Sequence, residues 1–226
     1  MINLLVNILV FVLDKLYRGR PYPRFYVLET VARVPYFAYT SVLHFYETLG
    51  WWRKSNWIKV HFAESWNELH HLLIMESLGG NQYLIDRVFA QICGSIYYWI
   101  LVWVYALSPA SAYRFMEEVE AHAFHTYDKF LTKHAEELKT QPAPQAALTY
   151  YGEGELYMFD AFQTAKQEDI RRPQIESLYD VFVAIRDDEM EHVKTMTACQ
   201  QPEAELISRK SDSSGNQSLP DVALQK

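Results

Sequence analysis

Two Glu-x-x-His pairs constrain this chain more than any other feature: Glu68–His71 in NELHHL and Glu189–His192 in IRDDEMEH. On an α-helix, positions i and i+3 share a face, so each Glu and its His point the same way. Either pair alone is weak, because a chain with many Glu and 8 His yields such spacings by chance. Their surroundings raise the odds. The apolar stripe Leu178, Phe182, Ile185 continues at the same spacing onto Glu189, His192 and Met196. A second stripe runs Tyr113, Met116, Glu120, Ala123/Phe124, Tyr127 and Leu131, which puts Glu120 at a core position. Glu29 lies in the largely apolar stretch YVLETVARV. Four helices therefore each aim one carboxylate inward, and two of them add a histidine. Unpaired carboxylates taken out of water are strongly destabilising. Four in one core need a shared counter-charge, which two metal ions supply. One Glu from each of two helices plus Glu-x-x-His from each of two others is the di-metal four-helix-bundle pattern. Carboxylate oxygen and imidazole nitrogen suit iron or manganese, and no thiolate competes.

The remaining acids and histidines fit less well. Glu64 and Glu76 break the stripe of their helix and are expected in solvent, and Glu117, Glu118 and Glu191 are expected on polar faces. His70 and His122 neighbour ligands but are rotated off the metal face. His44, His61, His125 and His134 have no partner pattern. Cys93 and Cys199 form no C-x-x-C, so neither a disulfide scaffold nor a thiolate zinc site is supported, and Cys93 is expected as a small buried residue.

Helix-period stretches separated by short Pro/Gly punctuation cover 2–17, 24–48, 57–78, 83–107, 109–138 and 174–199. Strand alternation and long internal repeats are absent. Gly79-Gly80 ends the third helix, Pro109 opens the fifth, and Pro142 and Pro144 close it. Tyr150 to Arg172 reads as a loop with one or two helical turns. Residues 1–202 read as one helical domain, and 203–226, rich in Ser, Asp, Gln and Lys, as a disordered tail. With 226 residues, half of them hydrophobic, the domain can bury a real core. A net charge of −7 argues against a nucleic-acid binder.

Two segments bear on membranes. Met1 to Leu13 is apolar, lacks the basic start and A-x-A site of a cleavable leader, and is too short to span a bilayer. It precedes Lys15, Arg18, Arg20 and Arg24, and reads either as an interfacial segment on lipid or as a core helix. Val88 to Tyr113 holds no charged residue or His and is long enough to cross a membrane. Its aromatics, Tyr97, Tyr98, Trp99, Trp103 and Tyr105, fall mid-run rather than at the ends. A bundle helix with one face against lipid fits that placement better than a span.

The motifs LET (Glu29), NELHHL (Glu68, His71), VEAHAFHTYDKF (Glu120) and IRDDEMEH (Glu189, His192) resemble the alternative oxidase superfamily. Its plastid terminal oxidase branch is the nearest in kind, because YYGEGELYMFDAFQTAKQEDIRRPQIESLYDVF is similar to a segment of that branch. The resemblance covers roughly residues 15–200. It implies an all-α fold: a ferritin-like di-iron four-helix bundle with additional membrane-binding helices, to which the apolar and basic composition of residues 1–20 adds an N-terminal interfacial helix. It implies two Fe ions held by Glu29, Glu68, His71, Glu120, Glu189 and His192. The activity implied is oxidation of two plastoquinols with reduction of O2 to two waters, without proton pumping, by a monotopic and usually dimeric enzyme. Tyr127 matches a tyrosine close to the irons. Asn67 and Asp188 match positions expected to hydrogen-bond the ligand histidines. Arg24, Leu28, Ala123 and Thr126 match positions near the quinol headgroup. The run Glu120, Ala121, His122 departs from three consecutive acids in the mitochondrial branch, so His122 replaces a carboxylate expected in that pocket. Without a visible transit peptide, a thylakoid or cytoplasmic membrane of a photosynthetic prokaryote, or a plastid-type one, is the expected location. The rival readings are a ferritin-type iron-storage bundle, a ubiquinol-type oxidase and a metal-free structural membrane protein.

Overall fold

A computed structural model describes residues 13–152, 156–158 and 172–201. Among the described residues, seven helices follow a single helical turn at 13–16: α1 (Pro21–Ala32), α2 (Val34–Thr48), α3 (Ser55–Ser77), α4 (Leu84–Leu107), α5 (Pro109–Lys139), α6 (Gln145–Gly152) and α7 (Leu178–Cys199). The all-α expectation holds. Residues 1–12 of the expected N-terminal interfacial helix, the C-terminal tail and most of the Tyr150–Arg172 loop lie outside the described residues, while Leu13 and Tyr17 are buried in the core.

The helix expected over 24–48 is two helices that meet at Arg33. Pro35 is the cause: it has no N–H to donate, and its ring would clash with the Val31 carbonyl of a continuous helix. It sits instead in the first turn of α2, where the missing donor costs nothing. The last helix starts at Leu178 rather than 174. A reciprocal cap sets that start, in which the Ser177 hydroxyl accepts from the Asp180 N–H and the Asp180 carboxylate accepts from the Ser177 N–H. The short α6 opens at Pro144, whose carbonyl accepts from Ala147 N–H at 2.9 Å, so the prolines that close α5 also start the next helix. At the end of α3, Gly79 takes a positive φ of 83°, and Gly80 N–H closes back on Met75 O at 2.9 Å.

Two apolar clusters occupy opposite ends of the bundle. One contains Phe25, Ile74, Met75, Tyr127, Leu131, Phe182 and Ile185. The other contains Tyr36, Tyr39, Trp57, Tyr105, Tyr113, Met116 and Met196. Each of α3, α5 and α7 runs from one cluster to the other and carries its inward carboxylate between them, whereas α1 packs in the first cluster and carries Glu29 near its C-terminal end. On α7, Phe182 and Ile185 precede Glu189 and His192, and Met196 follows. The helix α4 packs across α1, α2 and α5. Its outer side exposes Ile85, Val88, Ile92, Ile96, Trp99 and Trp103. Among the described residues it alone is long and apolar enough to cross a membrane. Cys93, on the same helix, is half-buried rather than buried, whereas Cys199 is buried.

Candidate metal centre

All six candidate ligands are buried: Glu29 on α1, Glu68 and His71 on α3, Glu120 on α5, Glu189 and His192 on α7. They form two overlapping groups, Glu29–Glu68–His71–Glu189 and Glu68–Glu120–Glu189–His192. In each group one ligand atom per residue lies within 4.8 Å of all the others. Glu68 and Glu189 belong to both, so each can bridge two ions. Nδ1 of His71 lies 3.7 Å from Glu29 and Glu68 and 3.5 Å from Glu189. Nδ1 of His192 lies 2.8, 3.9 and 3.7 Å from Glu68, Glu120 and Glu189. Both imidazoles thus turn the same nitrogen inward.

The donor set fits metal better than it fits itself. Glu29 Oε2, Glu68 Oε2, Glu120 Oε2, Glu189 Oε2 and His71 Nδ1 are buried with no hydrogen-bond partner among the described residues. Orphaned buried carboxylate oxygens are costly, and a divalent or trivalent ion between them removes the cost. Burial and the neighbouring Glu68 and Glu189 push Glu29 well above the ordinary carboxylate range, and burial does the same to Glu120. Burial opposes the charge of Glu68, but the neighbouring His192 and His71 imidazoles outweigh it and hold the carboxyl below its ordinary value. Burial also disfavours charge on His71 and His192, yet both are raised, by Asp188 and Glu189 for His71 and by Glu189 and Glu68 for His192. Without ions, protons must take over the task of neutralising this site.

Asp188 fixes the tautomer of His71. Its Oδ2 lies 3.3 Å from His71 Nε2, and the same carboxylate accepts from Asn67 Nδ2 at 2.9 Å, Tyr151 at 3.1 Å and Tyr157. With its proton held on Nε2, His71 presents a bare Nδ1 to the centre. Asn67 donates to Asp188 and, at 2.7 Å, to Tyr150, so it acts on the aspartate rather than on a ligand histidine.

Two tyrosines cap the group from opposite ends. Tyr127 donates to Glu29 Oε1, and Tyr36 donates to Glu120 Oε1. Burial, then the adjacent glutamate, raises both phenols far above their ordinary value, so both stay protonated. The pattern of α5 marked Tyr127; Tyr36 carried no signal, because the break at Arg33 changes the face that α2 presents. Phe25 stacks on Tyr127 with ring centroids 4.5 Å apart and also lines a cavity of about 450 Å³. Arg24, Thr126 and His122 line the same cavity, whereas Leu28 and Ala123 are not among its lining residues. Arg24 pairs there with Asp14 at 2.9 Å. Burial, then the Arg24 charge, lowers His122 and keeps it neutral.

Several surface expectations fail. Glu64 is fully buried and lies 2.8 Å from His61, which is also buried. Glu191 is buried and paired with Lys194 at 2.9 Å. Glu76 is only half-buried, and His70 stacks on Tyr150 at 4.1 Å, away from both metal groups.

A family model described as alternative oxidase matches residues 3–201. The chain belongs to the alternative oxidase family. It is 61% identical over 196 residues to the ubiquinol oxidase 4, chloroplastic/chromoplastic, of Arabidopsis thaliana, covering 87% of this chain and 56% of that protein. It is 27% identical to a mitochondrial ubiquinol oxidase 2 of Glycine max, over 83% of this chain and 50% of the relative. It is 30% identical to a mitochondrial ubiquinol oxidase 1 of Nicotiana tabacum, over 74% and 42%. The chain spans about half the length of the curated relatives it matches. Alternative oxidases are di-iron proteins, and the two overlapping groups of this alternative oxidase are positioned to bind both ions.

Proposed function

We propose that this alternative oxidase is a quinol:oxygen oxidoreductase that turns two plastoquinols and one O2 into two plastoquinones and two waters. The observation that carries the reading is the pair of buried groups sharing Glu68 and Glu189, one step from the cavity through Phe25 and Tyr127. Glu29, Glu68, His71, Glu120, Glu189 and His192 would hold two irons, which would supply the redox and Lewis-acid chemistry that O2 reduction needs. The quinol headgroup sits in the cavity against Arg24 and Thr126. Arg24 donates to one ring oxygen. His122, neutral, takes a proton from the other through Nε2, which has no hydrogen-bond partner among the described residues. Tyr127 stays protonated, donating its hydroxyl hydrogen bond to Glu29, and lies between the headgroup and the ligands, where it can pass an electron. Leu28 and Ala123, on α1 and α5, lie outside the cavity lining and take no part in this placement.

The outward stripe of α4 lies in one leaflet and the chain is monotopic, as the exposed Ile, Val and Trp side chains favour. A homodimer in a plastid-type or photosynthetic membrane completes the reading. An iron-storage shell fits less well, because a soluble shell would not expose this stripe. A ubiquinol substrate is favoured by the relatives' names. Oxygen uptake by detergent-purified protein on short-tailed plastoquinol and ubiquinol tests all three. Cyanide-resistant uptake, faster with plastoquinol, is expected. Iron loading without quinol oxidation would reject the proposal, and faster uptake with ubiquinol would reject the plastoquinol assignment.

A further inference from the structure

A second polar cluster lies inside the bundle on the Tyr36 side of the ligands, outside both metal groups. Tyr113 on α5, His61 and Glu64 on α3, and Tyr105 on α4 are all fully buried. The Tyr113 hydroxyl lies 2.8 Å from His61 Nε2, and His61 Nδ1 lies 2.8 Å from Glu64 Oε2. Tyr105 contacts the Tyr113 oxygen at 2.6 Å. An ionised Glu64 can only accept, which puts the imidazole proton on Nδ1 and leaves Nε2 to accept from Tyr113. Tyr105 then donates to Tyr113. Glu64 Oε2, already 2.8 Å from His61 Nδ1, is the oxygen placed to take a further proton.

This arrangement matches what one-electron oxidation of a phenol requires. Burial holds Tyr113 protonated far above its ordinary range. A buried phenol radical cation is prohibitive, so the electron leaves only if the proton has an acceptor already in contact. We propose that Tyr113, His61 and Glu64 form a redox-active tyrosine site distinct from Tyr127. Tyr113 gives up one electron and passes its hydroxyl proton to His61 Nε2, while His61 passes its Nδ1 proton to Glu64. The products are a neutral phenoxyl radical, a neutral imidazole of the other tautomer and a neutral carboxyl. Re-reduction reverses each transfer. The one-electron oxidant is the O2-reducing centre, so this role rests on the proposed function. Tyr36 connects the two sites, with its hydroxyl on Glu120 and its ring 6.2 Å from His61. On the far side, Trp57 and then Trp52 continue from Tyr113 at ring separations of 5.4 and 5.3 Å. Trp52 is partly exposed, so an oxidising equivalent stranded when quinol runs short has a route out of the centre.

The test uses the purified full chain with the iron it carries. Flash oxidation by tris-bipyridine ruthenium(III) should give a tyrosyl radical by electron paramagnetic resonance in the wild type and in Y127F, and not in Y113F. E64Q keeps the phenol but removes the final proton acceptor. Its radical should be about tenfold shorter-lived, the scale of one lost charge-assisted hydrogen bond. Mixing the reduced protein with O2 in the absence of quinol should produce the same Tyr113 signal. A Y113F protein with the wild-type radical, or an E64Q radical of unchanged lifetime, would overturn the proposal. A Tyr113 signal after the flash but none after O2 would overturn its connection to the centre. Failure of oxygen uptake would sink the proposed function, and the flash experiment would still decide the triad.

Discussion

His71 reaches the centre through a single nitrogen, and Asp188 decides which one. The aspartate is held by Asn67, Tyr151 and Tyr157, so its own orientation is fixed from three sides. Asp188→Asn keeps the volume but weakens the acceptor facing His71 Nε2. Iron affinity should fall about 10- to 100-fold with the helical fold retained, read by chelator competition and circular dichroism. An unchanged affinity would remove Asp188 from the account. Tyr127→Phe separates positioning from electron supply. It should keep its iron while quinol-dependent oxygen uptake drops, because Glu29 retains its other contacts and only the phenol is lost. At this scale the sequence was most legible where a polar residue interrupts an apolar stripe, as at Glu29, Glu120 and Glu189. Glu64 and His61 were misread because their burial depends on Tyr113 of α5, which meets them only in the folded bundle.

The helices α3, α5 and α7 register their ligands because each is held on both sides of the centre by an apolar cluster. The turn after α3 sets how α1 lies on that helix. A Cβ on Gly80 would meet Tyr26 Cβ at 2.7 Å and the carbonyl oxygens of Tyr22 and Met75 at 2.8 Å. Two of these are backbone atoms that cannot yield without moving a helix. Gly80→Ala should therefore cost about 1–3 kcal/mol, measured as a lower urea midpoint. An unchanged midpoint would mean that α1 is not clamped there. Helix existence was readable from periodicity and punctuation for every long element. The break at Arg33 was not, because Pro35 reads equally as the first turn of a new helix or as a kink in one. The short α6 was missed because Pro142 and Pro144 were read only as a stop.

For the whole molecule, the metal-free site is a pH-dependent liability. Glu29 and Glu120 are raised above 4.5, and His71 and His192 above 6.5. Groups raised on folding contribute stability at low pH and lose it as pH rises through their folded values. Glu68 is lowered, so its contribution is lost only in acid. Metal-free protein should thus lose stability as pH rises above about 4.5 through Glu29 and Glu120 and above about 6.5 through His71 and His192, while iron-loaded protein changes less because the ions keep the carboxylates ionised. Thermal midpoints of both forms across that range check the divergence, and parallel curves would contradict it. The apolar outer side of α4 was legible as an uncharged run, and its outward stripe emerged only once α1, α2 and α5 covered the other face. The central claim is that acids from four helices share a dry interior around two ions, with Glu68 and Glu189 common to both. Iron content per chain tests it most directly. About two ions are predicted for the wild type, about one for Glu29→Ala and essentially none for Glu189→Ala. A folded Glu189→Ala protein that still holds two irons would contradict it.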